Sequence, residues 1–81
     1  MTKEALRAVV MQAVKKETGY DVDRIDPDKD IRSQVNLDSM QFVGILARVE
    51  EALAVELPIE AVTVSTLNQF LEVLAKQVVM A

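Results

Sequence analysis

The apolar residues of this chain recur at helical spacing in three separate stretches, and nowhere do they alternate as in a half-buried strand. That pattern confines the fold to helices packed on helices. In the first stretch, Lys3 to Thr18, Leu6, Val9, Val10, Ala13 and Val14 share one face, with Thr2 placed to cap the start and Gly19 to close the end. Glu4 in the first turn and Lys15 and Lys16 in the last complement the helix dipole. The second stretch begins at Asp38 and carries Met40, Val43, Leu46, Ala47, Val49 and Leu53, widened by Phe42 and Ile45 into a stripe broad enough to cover more than one neighbour. Pro58 marks its end. The third runs through Leu67, Phe70, Leu71, Leu74 and Val78, with Thr63 or Ser65 as its cap and Val78, Val79 and Met80 expected to fray. Between Pro58 and Thr63 only Ile59, Glu60, Ala61 and Val62 intervene, at most one helical turn. The expected fold is all-α, a small bundle of three long helices with a shortened or absent short helix before the last, in one domain over residues 1–81.

The connection from Tyr20 to Leu37 holds Asp21, Asp23, Asp26, Asp28 and Asp30, a proline, and the isolated aliphatics Val22, Ile25, Ile31 and Val35. This is too irregular for a predicted helix or strand, and a loop of such length needs a reason. The aliphatics supply one: they pin the loop across the core. Asp26 to Asp30 places oxygens at alternate positions like the start of a calcium loop. Ile31 stands where the turn glycine is required, however, and Leu37 where the bidentate glutamate is, so the run reads as a turn with solvated charges.

Composition narrows the chemistry. A chain of 81 residues encloses one small core rather than a walled catalytic cleft. It has neither Cys nor His, which removes disulfides, thiolate metal sites and the commonest general base. The N-terminal residues lack a signal peptide's apolar run, and no segment approaches the roughly 18 apolar residues a membrane span needs. A cytoplasmic monomer is expected. Up to Val35 acids and bases balance, whereas from Asn36 onward Asp38, Glu50, Glu51, Glu56, Glu60 and Glu72 face only Arg48 and Lys76. An acidic half disfavours nucleic acid and favours basic protein partners.

Asn36-Leu37-Asp38-Ser39-Met40-Gln41-Phe42-Val43 marks where the loop gives way to the second helix. Asp38 and Gln41 have the spacing of a capping box. Asn36 tolerates the positive φ that a sharp entry demands. Ser39 then falls in the first turn, where unpaired N–H groups and the helix dipole favour an anion. For an arbitrary protein this combination is a helix start and nothing more.

Leu37-Asp38-Ser39-Met40 resembles the Asp-Ser-Leu motif of acyl carrier proteins, whose serine bears a phosphopantetheine arm. The likeness extends along the chain. Gly19 precedes Ser39 by the family's loop length, Ile25, Ile31 and Val35 fall on its loop aliphatics, and Val43, Leu46, Val49, Glu50, Glu51, Leu53, Leu57 and Pro58 follow its second helix. Thr63-Val64-Ser65-Thr66-Leu67-Asn68-Gln69-Phe70-Leu71 resembles its entry to the final helix. The resemblance implies a non-catalytic carrier of fatty-acid, lipid or polyketide-type synthesis. A phosphopantetheinyl transferase would load Ser39 from coenzyme A, Asp38 would position the serine and the transferase's Mg²⁺, and the arm's thiol would hold an acyl group as a thioester. It further implies that Met40, Val43, Ala47, Glu50 and Glu51 meet acyl-loading and acyl-using enzymes through their basic docking patches, and that Val43, Leu46, Leu57, Ile59 and Val62 line the cargo cleft. No metal site of its own is implied.

The chain departs from the family at several positions. Gln41 and Gly44 replace acids of the partner surface, Ala47 replaces a larger Met, and the Pro58-to-Thr63 segment is shorter than the family's third-helix region. A reduced acyl pocket and a specialised carrier are therefore expected. The Asp-Ser-Met variant also admits a D-alanyl or aminoacyl carrier. A third reading is an unmodified helical interaction domain.

Overall fold

The computed structural model describes residues 2–78. Three long helices dominate it: α1 (Lys3–Thr18), α3 (Ser39–Leu53) and α4 (Leu67–Gln77). A short helix, α2 (Ile31–Val35), stands between the first two, and single 3-10 turns occupy Val22–Arg24 and Ile59–Val62. No strand occurs among the described residues.

Both ends of α1 follow from its sequence. The Thr2 side chain accepts from the Ala5 N–H, and Gly19 takes the left-handed conformation (φ 72°) while its N–H returns to the Lys15 carbonyl. The helix packs against α3 and α4, burying Leu6, Val10, Met11, Ala13 and Val14. From the other side come Phe42, Ile45, Leu46 and Val49 of α3 and Leu67, Phe70, Leu71 and Leu74 of α4. Leu6, Val14, Val49, Leu67 and Leu74 are fully sealed from water. Each such aliphatic contributes about 1.5–3 kcal/mol relative to exposure.

The connection after α1 is more ordered than its irregular spacing suggests. Ile25, Ile31 and Val35 are buried, as expected of a loop pinned across the core. Contrary to the expectation from spacing, five of its residues coil into α2, because Asp30 caps it by accepting from the N–H groups of Arg32 and Ser33. The aspartates serve local backbone geometry: Asp26 accepts from the Asp28 N–H and Asp21 from the Asp23 N–H. The loop is also tied to the start of α4, with the Ile31 N–H donating to the Ser65 carbonyl and the Asn68 N–H to the Pro27 carbonyl.

Two element boundaries differ from expectation. Helix α3 ends at Leu53, not at Pro58, because Ala54 turns left-handed (φ 55°) and the Glu50 carboxylate accepts from the Leu57 N–H at 2.9 Å, folding the chain back. Helix α4 is capped by Thr66, not by Thr63 or Ser65. Its hydroxyl accepts from the Gln69 N–H while the Gln69 side chain accepts from the Thr66 N–H, a complete capping box. This later start lengthens the connection from Pro58 and leaves room for the short helix as one 3-10 turn. Val78 follows α4 in extended conformation, and Val79 and Met80 lie outside the described residues.

Candidate functional site at the start of α3

The chain reaches Ser39 through a tight corner. Helix α2 closes on Asn36, left-handed at φ 57° and ψ 49°, where the short polar side chain of Asn is tolerated. The N–H groups of Asn36 and Leu37 both donate to the Arg32 carbonyl, so only Leu37 and Asp38 separate this turn from α3. Asp38 takes extended backbone angles, and its Oδ1 accepts from the Gln41 N–H at 2.7 Å. Gln41 Oε1 in turn accepts from the Asp38 N–H at 3.3 Å. The expected capping box is present, and it fixes Ser39 as the first residue of a 15-residue helix.

Ser39 is solvent-exposed. Among the described residues, no protein acceptor takes the N–H of Ser39 or of Met40, and Asp38 Oδ2 makes no hydrogen bond. The first turn therefore offers a hydroxyl, two backbone donors and one spare carboxylate oxygen to the solvent. Of these groups, the two unpaired donors and the positive helix end favour an anion at this point.

The broad apolar stripe of α3 divides in two. Phe42, Ile45, Leu46 and Val49 face the core and Leu53 is half-buried against it. Met40, Val43 and Ala47, one helical row, remain exposed, Met40 at 83% and Val43 at 58%. The stripe thus covers one set of neighbours and leaves its other edge bare. Ile59 and Val62, on the 3-10 turn, are the other large exposed apolar residues among those described. Of the remaining cargo-cleft candidates, Leu46 is buried and Leu57 is half-buried against the core. None of the five lines the groove of about 550 Å³ between α1 and α3, whose walls include Ala8, Val9, Ala13, Arg48 and Ala52.

The acidic candidates separate as well. Glu51 is exposed, whereas Glu50 is half-buried and engaged with the Leu57 N–H. Gly44 permits close packing: the Glu17 carboxylate lies over it, 2.7 Å from where a Cβ would stand, and accepts from Arg48 Nε at 3.0 Å. A carboxylate from α1 thus occupies the surface that a side chain at Gly44 would fill.

One side chain that helical spacing did not single out joins the site to the rest of the bundle. Arg32 of α2 places its guanidinium carbon over the Phe42 ring, 4.0 Å from the centroid, and donates to the carbonyls of Val62 and Val64. Phe42 also meets Phe70 of α4 edge to face, at 6.5 Å. An arginine between Ile31 and Ser33 carries no periodic signal, so only the fold reveals it.

Comparison with known proteins supplies the chemistry. Residues 8–74 match the phosphopantetheine attachment site family. The acyl carrier proteins of Myxococcus xanthus and Micrococcus luteus are each 30% identical over 61 residues, 75% of this chain and 77% and 75% of theirs. One of the polyunsaturated fatty acid synthase polypeptides of Thraustochytrium sp. is 36% identical over 53 residues, 65% of this chain but only 2% of that protein's length. No solved structure matches significantly. The family match begins within α1, ends within α4 and takes in every element between them, so the chain belongs to the acyl carrier protein family, as a carrier with a covalent phosphopantetheine group rather than a catalyst.

Proposed function

We propose that Ser39 is the residue that bears the phosphopantetheine arm and that Asp38 assists its loading. The observation that carries this reading is the exposed Ser39 hydroxyl at the capped N-terminus of α3, beside the unpaired N–H groups of Ser39 and Met40. In loading, Ser39 Oγ forms a bond to phosphorus as the pyrophosphate bond of coenzyme A breaks and the nucleotide leaves. The hydroxyl proton passes to a base of the transferase. Asp38 contributes twice, Oδ1 holding the helix start and Oδ2 facing solvent as a ligand for the transferase's Mg²⁺. The loaded group supplies a thiol that holds the acyl chain as a thioester.

The row Met40, Val43 and Ala47, with Glu51 beyond it, forms the docking face. Its exposed apolar residues provide contact area, and the acid steers basic patches of acyl-loading and acyl-using enzymes. Exposed ion pairs of this kind contribute at most about 1 kcal/mol each, which suits a carrier that must dissociate after every transfer. Glu50 is the weaker docking candidate, since its carboxylate closes the turn after α3. The cargo lies toward Val43, Leu46, Leu57, Ile59 and Val62, and the names of the relatives support fatty-acid-type synthesis as the pathway.

The test is intact mass after incubation with coenzyme A and a broad-specificity phosphopantetheinyl transferase. Wild type is expected to gain about 340 Da, the mass of the arm transferred to a hydroxyl, and Ser39→Ala to gain nothing. Equal addition to both proteins would move the attachment elsewhere. No addition to either would favour an unmodified interaction domain.

A further inference from the structure

The segment from Pro58 to Thr66 has few ties to the rest of the protein. Its 3-10 turn is held internally, by the Ala61 N–H donating to the Pro58 carbonyl and the Thr63 N–H to the Glu60 carbonyl. Ala61 and Val64 are its buried anchors, while Ile59 and Val62 point outward, 84% and 46% exposed. Upstream of the α4 cap, one hydrogen bond leaves it for α4, from the Ser65 N–H to Gln69 Oε1 at 2.8 Å, and the others go to the corner around α2. One runs from the Ile31 N–H to the Ser65 carbonyl, and two run from Arg32, Nη1 to the Val64 carbonyl at 2.8 Å and Nη2 to the Val62 carbonyl at 2.7 Å.

The guanidinium that makes those two bonds also lies over the Phe42 ring, one turn beyond Ser39 on α3. Phe42 is buried and cannot follow a movement of the segment without disturbing its contact with Phe70. Among the described residues no carboxylate pairs with Arg32. Its charge is met by two carbonyl dipoles and an aromatic face, an arrangement that fixes position and requires a planar fork of donors. A lysine ammonium at this site would have to choose among the three contacts.

We propose that Arg32 is a positioning residue, a latch that fastens the 59–64 segment to the Ser39 end of α3 through the Val62 and Val64 carbonyls and the Phe42 ring. The consequence for cargo rests on the carrier reading above. An acyl chain entering between α3 and this segment must displace the segment, and the latch opposes that displacement. Long chains consequently gain little burial in the wild-type protein.

Amide exchange of the unloaded protein tests the latch directly. In Arg32→Met, exchange at Ile31, Ala61 and Thr63 should rise by roughly tenfold or more while Val10 and Val14 in α1 remain protected as in wild type. Arg32→Lys, which keeps the charge and serves if the Met variant fails to fold, should show the same local rise. Unchanged exchange, acceleration spread evenly through α1, or full protection restored by lysine would each overturn the proposal. The cargo consequence is read from melting temperatures after loading butyryl or lauroyl arms from the corresponding coenzyme A thioesters. The lauroyl-over-butyryl gain should be larger in the variant than in wild type, by roughly 3 °C or more, and an equal gain would overturn that consequence. If wild type accepts no arm at all, the carrier reading fails by itself, and the exchange result still decides the latch.

Discussion

Asp38 Oδ1 caps α3, Oδ2 is the oxygen proposed to bind the transferase's Mg²⁺, and substitution can separate the two roles. Asparagine keeps an acceptor for the Gln41 N–H but removes the charge that a metal would need, so Asp38→Asn should melt close to wild type yet be loaded much more slowly by the transferase. Asp38→Ala removes the cap as well and should cost about 1 kcal/mol of stability by denaturant titration. Both the cap and its partner Gln41 could be read from four consecutive residues because capping is local chemistry. At Gly44 the sequence shows a missing acid of the partner surface but not what occupies its place. The carboxylate that lies over it comes from Glu17, 27 residues earlier, and no local pattern links the two. A Cβ at Gly44 would push the end of a flexible side chain aside and break an exposed ion pair worth at most about 1 kcal/mol. Alanine would regain about 1 kcal/mol of helix propensity. Gly44→Ala should therefore leave stability unchanged or slightly raised, and a loss above about 1 kcal/mol would show that the Glu17–Arg48 pair matters more than its exposure implies.

Among the elements, α3 has to serve the core and a surface together, which explains why its apolar stripe is broader than one packing face requires. Periodicity located the whole stripe but could not divide it, since Val43 and Leu46 are equally apolar and differ only in what covers them. The end of α3 shows the same limit. Pro58 is a visible stop, yet the helix ends earlier, at a left-handed Ala54 braced by Glu50. Two outcomes follow from that brace. Glu50→Ala should lower stability by about 1 kcal/mol by leaving the Leu57 N–H without its acceptor, whereas Glu51→Gln should leave stability untouched and weaken only partner binding. Ala54→Gly should raise stability by up to about 1 kcal/mol, because glycine enters the left-handed region without the Cβ clash. Helix α2 escaped detection because five residues are too few to display a period. Its existence depends on the Asp30 cap and on the burial of Ile31 and Val35, which the irregular spacing had marked as pins but not as a helix.

At the scale of the whole molecule, three long helices enclose one apolar core with no buried polar side chain among the described residues, so the architecture rests on packing and the chemistry is left to the surface. That division made the fold class readable from spacing alone, while the contacts across the bundle, above all Arg32 with Phe42, Val62 and Val64, appeared only once the chain was folded. It also explains how a protein with neither His nor Cys acts in acyl chemistry: the reactive thiol is supplied by the attached group, and the attachment point proposed here is the capped start of α3. Among the other hydroxyls of the chain are those of Ser33, Ser65, Thr63 and Thr66; Thr66 also stands at a helix start, but its hydroxyl accepts from the Gln69 N–H, whereas Ser39 is exposed in the first turn of α3. Peptide-level mass spectrometry of the transferase-treated wild-type protein tests this most directly. The arm should be found on the peptide containing Ser39, with fragmentation placing it on that side chain and leaving Ser33, Ser65, Thr63 and Thr66 unmodified. An arm on any of those residues, with Ser39 bare, would contradict the assignment of the α3 N-terminus as the attachment site.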